Sequence, residues 1–221
     1  IAQIHNTYQI AGGEDRVVEL ERSLLAEHGH DVLQYLVSND AITGIRKKTA
    51  AMLATPYNSQ ARGELLAWLT REKPDVVHVH NFFPLLSPSI YDACADAGVP
   101  VVQTLHNFRT LCAGTLLLRD GKFCDRCVGR LPVWGVAHRC YRGSLPGSIA
   151  VSGMVMSYRR RRHRVQRFIA LSAFARNLFV RAGMAAERIV VKPNFVRDPG
   201  PPPSGPRRGG LFVGRLSAEK G

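Results

Sequence analysis

From the first residue, short runs rich in Val, Ile and Leu alternate with longer stretches whose apolar positions recur at helical spacing. The short runs are Ile1–Asn6, Asp31–Val37, Asp75–His80, Val99–His106, Arg167–Leu171, Ile189–Lys192 and Leu211–Val213. They are apolar on both sides, as strands covered on both faces are. The longer stretches are Glu14–His28, Ser59–Arg71, Pro88–Ala97 and Ala173–Ala182. In the first of these, Val17, Val18, Leu20, Leu24 and Leu25 share one side, acids fill the first turn, and Gly29 follows the last. Those are the start and stop signals of a helix. Strands alternating with helices in this way predict an α/β, doubly wound parallel sheet, Rossmann-like, with helices on both faces.

Two segments interrupt the alternation. Residues 108–145 are rich in Gly, Cys and Arg without periodicity, which predicts an inserted loop or small subdomain. Residues 197–210 carry Pro199, Pro201, Pro202, Pro203 and Pro206, the composition of a stiff extended linker. The expected organisation is therefore a domain over 1–196, a linker over 197–210, and the opening of a second domain over 211–221. The chain begins within a strand, with neither Met nor a signal-peptide layout, and stops inside a glycine-bounded basic motif; both ends are expected to continue.

In open parallel sheets ligands sit outside the carboxyl ends of the strands. The residues there are small and polar: His5-Asn6, Gly12-Gly13, His80-Asn81, His106-Asn107, Ser172 and Asn194. Gly12 and Gly13 precede the first helix, where a ligand can approach the backbone and unpaired N–H groups face an anion. Neither a dinucleotide G-x-G-x-x-G fingerprint nor a Walker lysine accompanies them. His106 closes its strand and can bond a sugar hydroxyl or orient a reacting group. His78 and His80 point to one side of their strand. The expectation is a buried, hydrogen-bonded His78 and a cleft-lining His80, with metal chelation requiring a third ligand nearby. Arg215 and Lys220 stand in Gly214–Gly221, a loop suited to a diphosphate.

These motifs, in this order, resemble glycosyltransferase family 4. The resemblance rests on Gly12-Gly13, Gly29-His30, Pro74–His80, Val99–His106, Phe168–Ser172, Val191–Val196 and Val213–Gly221. It implies the N-terminal, acceptor-side half of a GT-B architecture of two Rossmann domains. It further implies retaining hexosyl transfer from a UDP- or GDP-sugar to a glycan or glycolipid acceptor, without a catalytic metal, in cell-envelope polysaccharide assembly or a similar pathway. By position, Gly13 would lie near the donor phosphates, His106 would contact the transferred sugar, and Arg215 and Lys220 would balance the leaving diphosphate. Ser172 and Asn194 would stand at the cleft edge beside His80 and Asn107. The family's C-terminal donor domain is absent, so this segment alone is expected to be inactive. Another GT-B enzyme, such as an epimerase, shares the architecture and stays open.

Charge and cysteines add to the picture. Among 221 residues the formal net charge is +13, concentrated at Arg159–Arg162, Arg164 and Arg167. Such a balance suits polyanions. A nucleic-acid-binding module is one alternative, disfavoured because aromatics do not interleave with the basic run and no recognition motif is present. An amphipathic helix within 145–167 lying on an anionic membrane is another expectation, which makes the protein cytoplasmic and peripheral on the inner membrane face. Five cysteines without a secretory signal fit a reducing compartment. Cys112, Cys124, Cys127 and Cys140 read C-x11-C-x2-C-x12-C, a spacing that can close a structural zinc site; Cys94 stands apart as a small buried hydrophobe.

Overall fold

A computed structural model describes residues 1–9, 12–201, 205 and 208–212. Strands β1 (Ala2–Thr7), β2 (Leu33–Ser38), β3 (Val77–Asn81) and β4 (Val101–Leu105) form the first part of the sheet. Helices α1 (Gly13–Glu27), α2 (Gly44–Ala54), α3 (Ser59–Glu72) and α4 (Ile90–Asp96) connect them. The predicted insertion follows, with a two-stranded hairpin, β5 (Leu118–Arg119) and β6 (Lys122–Phe123), and the short α5 (Val133–Ala137). Helix α6 (Leu145–Arg161) returns to the sheet, and β7 (Arg167–Ala170), α7 (Ala173–Arg181) and β8 (Ile189–Val191) complete it.

Six strands pair in the order β2-β1-β3-β4-β7-β8, every pair parallel. The chain steps outward from β1 to β2 and then crosses back to β3, so the order reverses between β1 and β3. Right-handed crossovers then place α1 on one face and the helices of each later step on the other. Side-chain contacts agree: Gln3 of β1 donates to the Val18 carbonyl of α1, whereas Tyr158 of α6 donates to Gln103 of β4 at 2.9 Å.

The larger core fills the second face. Ala2, Ile4, Val77, Val79, Val101, Leu105, Phe168 and Ala170 alternate onto it and meet Leu65, Leu69, Ile90, Met154, Val155 and Tyr158. Helix ends are set by sequence: Asn58, Ser144 and Ser172 each accept from the backbone N–H three residues on. Lys73 and Gly98, with left-handed backbone, follow α3 and α4.

Helix α2 escapes the hydrophobic pattern because its apolar residues do not share a face: Ile45 and Leu53 are exposed and only Ala51 is buried. Of the expected strand Leu211–Val213, Leu211 and Phe212 have no regular secondary structure, and Val213 lies outside the described residues. Among the described residues no helix is long and apolar enough to cross a membrane. Helix α6 turns Val151, Met154, Val155 and Tyr158 into the core, so the apolar face that membrane contact would need is the face packed on the sheet.

The arginines after it are likewise engaged. Arg159 donates to the carbonyls of Cys127 and Arg130, Arg161 and Arg164 pair with Asp92, and Arg162 caps the carbonyls of Ala182 and Gly183. The dense basic block is largely a set of clasps between elements rather than a free cationic surface.

Candidate functional site

At the switch point a cleft of about 730 Å³ opens along the carboxyl edge of the sheet. Tyr8 and Gln9 after β1, Asn39 after β2, Phe83 and Pro84 after β3, and Arg109 after β4 contribute to its floor and sides. Helix α2 gives Lys48 and Met52, and the insertion gives Thr115, Tyr141 and Arg142.

Asn6 ties the floor together. Its Nδ2 donates to the Val37 carbonyl and Asn39 Oδ1, its Oδ1 accepts from Leu85 N, and its carbonyl accepts from Asn81 Nδ2 at 2.7 Å. One buried amide thus fixes the ends of three strands, and each of its polar groups is satisfied. Arg109 lies over the Phe83 ring at 4.2 Å, its Nε donates to Thr115 Oγ1, and its Nη1 is buried without a partner among the described residues. Lys48, Arg109 and Arg142 line the cleft, and no carboxylate does among the described residues.

Beside this cleft the sheet's α1 face carries a polar network. His78 Nε2 bonds Thr104 Oγ1 at 2.8 Å, and His80 Nδ1 bonds His106 Nε2 at 3.1 Å. Glu21 of α1 reaches over them: its Oε2 lies 3.5 Å from His78 Nδ1 and 3.6 Å from His80 Nε2, while Oε1 accepts from Lys192 at 2.5 Å. Burial holds both imidazoles neutral, lowering His78 to about 3 and His80 well below its usual range, and neighbouring imidazoles and Lys192 add to this. His106 is lowered by burial too, though Glu14 and Glu21 oppose the shift. A neutral imidazole donates at one ring nitrogen and accepts at the other, whereas a protonated one only donates.

The amino end of α1 meets His106-Asn107 directly. Asn107 Nδ2 donates to Glu14 Oε1 at 2.8 Å, and the Tyr8 hydroxyl donates to the other oxygen, Oε2, at the same distance. Asp15 accepts from Gly12 N and Tyr8 N and pairs with His5 at 2.9 Å. Burial works to raise its carboxyl, but these bonds outweigh it and hold it below the usual range. Gly12 and Gly13 are exposed; a Cβ at Gly13 would meet nothing within 4 Å, and its φ lies outside the left-handed region. Nothing in the fold itself demands glycine there.

The residues predicted from sequence thus fall into separate places along one edge. Gly12, Gly13, His106, Asn107 and His80 converge on the α1 end, with His80 buried beneath His106 rather than facing the large cleft. His78 is buried and bonded. Ser172 spends its hydroxyl capping α7, and Asn194 is exposed beyond β8. Arg215 and Lys220 lie outside the described residues. Of the four cysteines, Cys140 alone touches the large cleft. Sequence reasoning passed over Glu14, Glu21, Lys192, Tyr8 and Arg109. The one local signal was acids in a first helical turn; Glu21 and Lys192 meet from 171 residues apart.

Glu21, His78 and His80 bring three ligand atoms within 4.8 Å of one another, the only such trio among the described residues. This is the third ligand the histidine pair lacked in sequence. The Lys192 ammonium, itself exposed, already balances that buried carboxylate.

An open parallel α/β sheet with a polar crevice at its switch point defines a Rossmann-like ligand-binding domain. The sequence profile of Glycosyltransferase Family 4 matches residues 10–198. The chain belongs to that family. None of the curated proteins matches the sequence. Two solved structures are similar in fold: UDP-GlcNAc 2-epimerase from Methanocaldococcus jannaschii, at 13% identity and TM-score 0.41, and HepE from Anabaena in complex with UDP, at 14% and 0.42. The matches cover 86% and 87% of this chain but only 45% and 43% of those, so the chain spans less than half their length.

Proposed function

We propose that this chain is the acceptor-side half of a GT-B glycosyltransferase that moves a hexosyl group, with retention, from a UDP- or GDP-sugar to an acceptor held in the large cleft. In this reading 197–210 is the linker and 211–221 opens the donor-binding domain. The observation that carries it is the junction of the α1 amino end with His106-Asn107, immediately beside the cleft. Family membership supplies the class of reaction, and the geometry supplies the division of labour.

Unsubstituted glycine backbone at Gly13 lets a donor phosphate approach helix N–H groups. Neutral His106, whose Nε2 is bonded to His80, bonds a hydroxyl of the transferred sugar once donor binding uncovers its buried Nδ1, and Glu14 holds Asn107 in place. Cations without carboxylates favour an acceptor bearing negative charge, such as a phosphate-linked glycan. Arg215 and Lys220 stabilise the diphosphate as it leaves, when its charge is greatest.

The full-length protein, incubated with UDP- and GDP-sugars and a phosphorylated glycan acceptor, is expected to release nucleoside diphosphate in step with glycosylated product of retained anomeric configuration. His106→Ala should lower kcat by about 10²-fold or more, and Arg109→Ala should raise the acceptor KM with a smaller effect on kcat. Conversion of the sugar nucleotide to its epimer without acceptor, or product of inverted configuration, contradicts the reading.

A further inference from the structure

The insertion gathers four thiols that the sequence holds far apart. Cys112 ends the turn after Phe108, with its N–H donating to the Phe108 carbonyl; Cys124 follows β6; Cys127 opens the next turn; Cys140 follows α5. All four line one cavity of about 20 Å³. The backbone at two of them is fixed locally: Cys124 N donates to Leu117 O across the hairpin, and Cys140 N to Gly135 O at the end of α5. A Cβ at Gly114 would touch both Cys112 Sγ and Cys140 Cβ at 3.7 Å. None of the four forms a disulfide.

Three of the four are partly exposed, unlike Cys94, which sits fully inside the hydrophobic core with its thiol raised to about 12 by burial. Along the path between Cys112 and Cys140, Thr115, Leu117, Asp120 and Arg139 take left-handed backbone, a conformation unfavourable for residues other than glycine. The regular structure within it is two short strands and one helical turn and a half. A cation at the centre of the cavity favours thiolates over thiols.

We infer that Cys112, Cys124, Cys127 and Cys140 bind one zinc ion as four thiolates, a structural centre that closes the insertion on itself. Zinc–sulfur bonds of about 2.3 Å set the sulfurs about 3.8 Å apart in a tetrahedron. No three of these sulfurs lie within 4.8 Å of one another, wider than a tetrahedral zinc needs, and binding draws them into the cavity they share, releasing thiol protons to solvent. Four sulfur ligands leave no position for a reacting water, so the ion is not part of the chemistry. Its effect reaches the cleft through structure: Gly114, Thr115, Cys140, Tyr141 and Arg142 form one wall, and Thr115 holds Arg109. This inference does not rest on the transferase reading.

The test uses the full-length protein purified from zinc-supplemented culture without chelators. Elemental analysis should find about one zinc per chain. A mercurial thiol reagent should release it in the wild type, which needs no variant to fold. The double substitution Cys124→Ser with Cys127→Ser should lower zinc at least about tenfold, while His78→Ala should retain it. Cobalt exchanged into the site should show thiolate charge-transfer absorption and the strong visible bands of tetrahedral coordination. Zinc below about a tenth of an equivalent, disulfides among these cysteines in the native protein, or zinc lost on His78→Ala but kept in the cysteine variant overturns the proposal.

Discussion

The two faces of the same sheet differ in what the strands present and in what covers them. Toward α3, α4 and α6, the strands present Ala2, Ile4, Val77, Val79, Val101 and Leu105, all buried. Toward α1 they present Gln3, His5, His78, His80, Thr104 and His106, met by Glu21 and Lys192. Apart from the Tyr158–Gln103 hydrogen bond and the Tyr91 hydroxyl, unpaired among the described residues, the first face has no directional requirement and gains stability with apolar area. The second must satisfy each polar atom, and His5 Nδ1, His80 Nε2 and His106 Nδ1 remain buried and unpaired among the described residues. A buried polar group without a partner costs on the order of 1–3 kcal/mol. The fold concentrates that cost on the side where the histidines reach the α1 end, and the apolar side offsets it.

The comparison can be broken most forcefully on the apolar side. Ile4→Ala should lower the unfolding free energy by about 2–5 kcal/mol in urea titration, since it leaves a cavity among rigid neighbours. A loss below about 1 kcal/mol would mean that face is not the principal core. On the polar side, Glu21→Ala should cost about 1–3 kcal/mol by leaving Lys192 and two histidines without their carboxylate. Glu21→Met, which fills the same space, should cost less, because it leaves no cavity and the exposed Lys192 ammonium stays solvated.

The smallest and most specific effect is pH dependence. Folded His78, His80 and His106 bind protons less readily than the same residues unfolded. Below about pH 6.5 the unfolded chain therefore takes up more protons, and stability falls as acid is added. Their contribution is intact above that pH, and for His78 the loss continues down to about 3. Each histidine kept neutral contributes a slope of about 1.4 kcal/mol per pH unit. His78→Asn should reduce the slope between pH 6.5 and 5, whereas Ile4→Ala should shift the curve without changing its slope. An unaltered slope in the histidine variant would show that this imidazole titrates normally in the fold.

Much of the sheet was legible because short runs rich in Val, Ile and Leu, set apart by helical segments, have few other destinations in an α/β fold; the buried polar face toward α1 departs from the expected two-sided apolar pattern. The strands Ile1–Asn6, Asp75–His80 and Arg167–Leu171 appear within a residue or two of their predicted bounds. Helix α2 was not legible, since its apolar residues face solvent and the cleft rather than the core. The candidate site divides in the same way. His106 and Gly13 could be placed because the end of a strand and the start of a helix are local features. The cleft could not, because its lining runs from Tyr8 to Val151 and depends on register between elements distant in sequence. Glu21 reads in sequence as one more solvated helical acid; only the crossover brings it over β3.

Residues 114–144 wall the cleft but add nothing to the six-stranded sheet. They are held to it by Leu117 and Val128 in the core and by clasps, Arg159 on the carbonyls of Cys127 and Arg130 and Arg181 on Asp125. Rewriting the loop positions that line the cleft would therefore reshape that wall while leaving the amino end of α1 untouched. Selectivity can drift between relatives at a single graft, without renegotiating the scaffold beneath it.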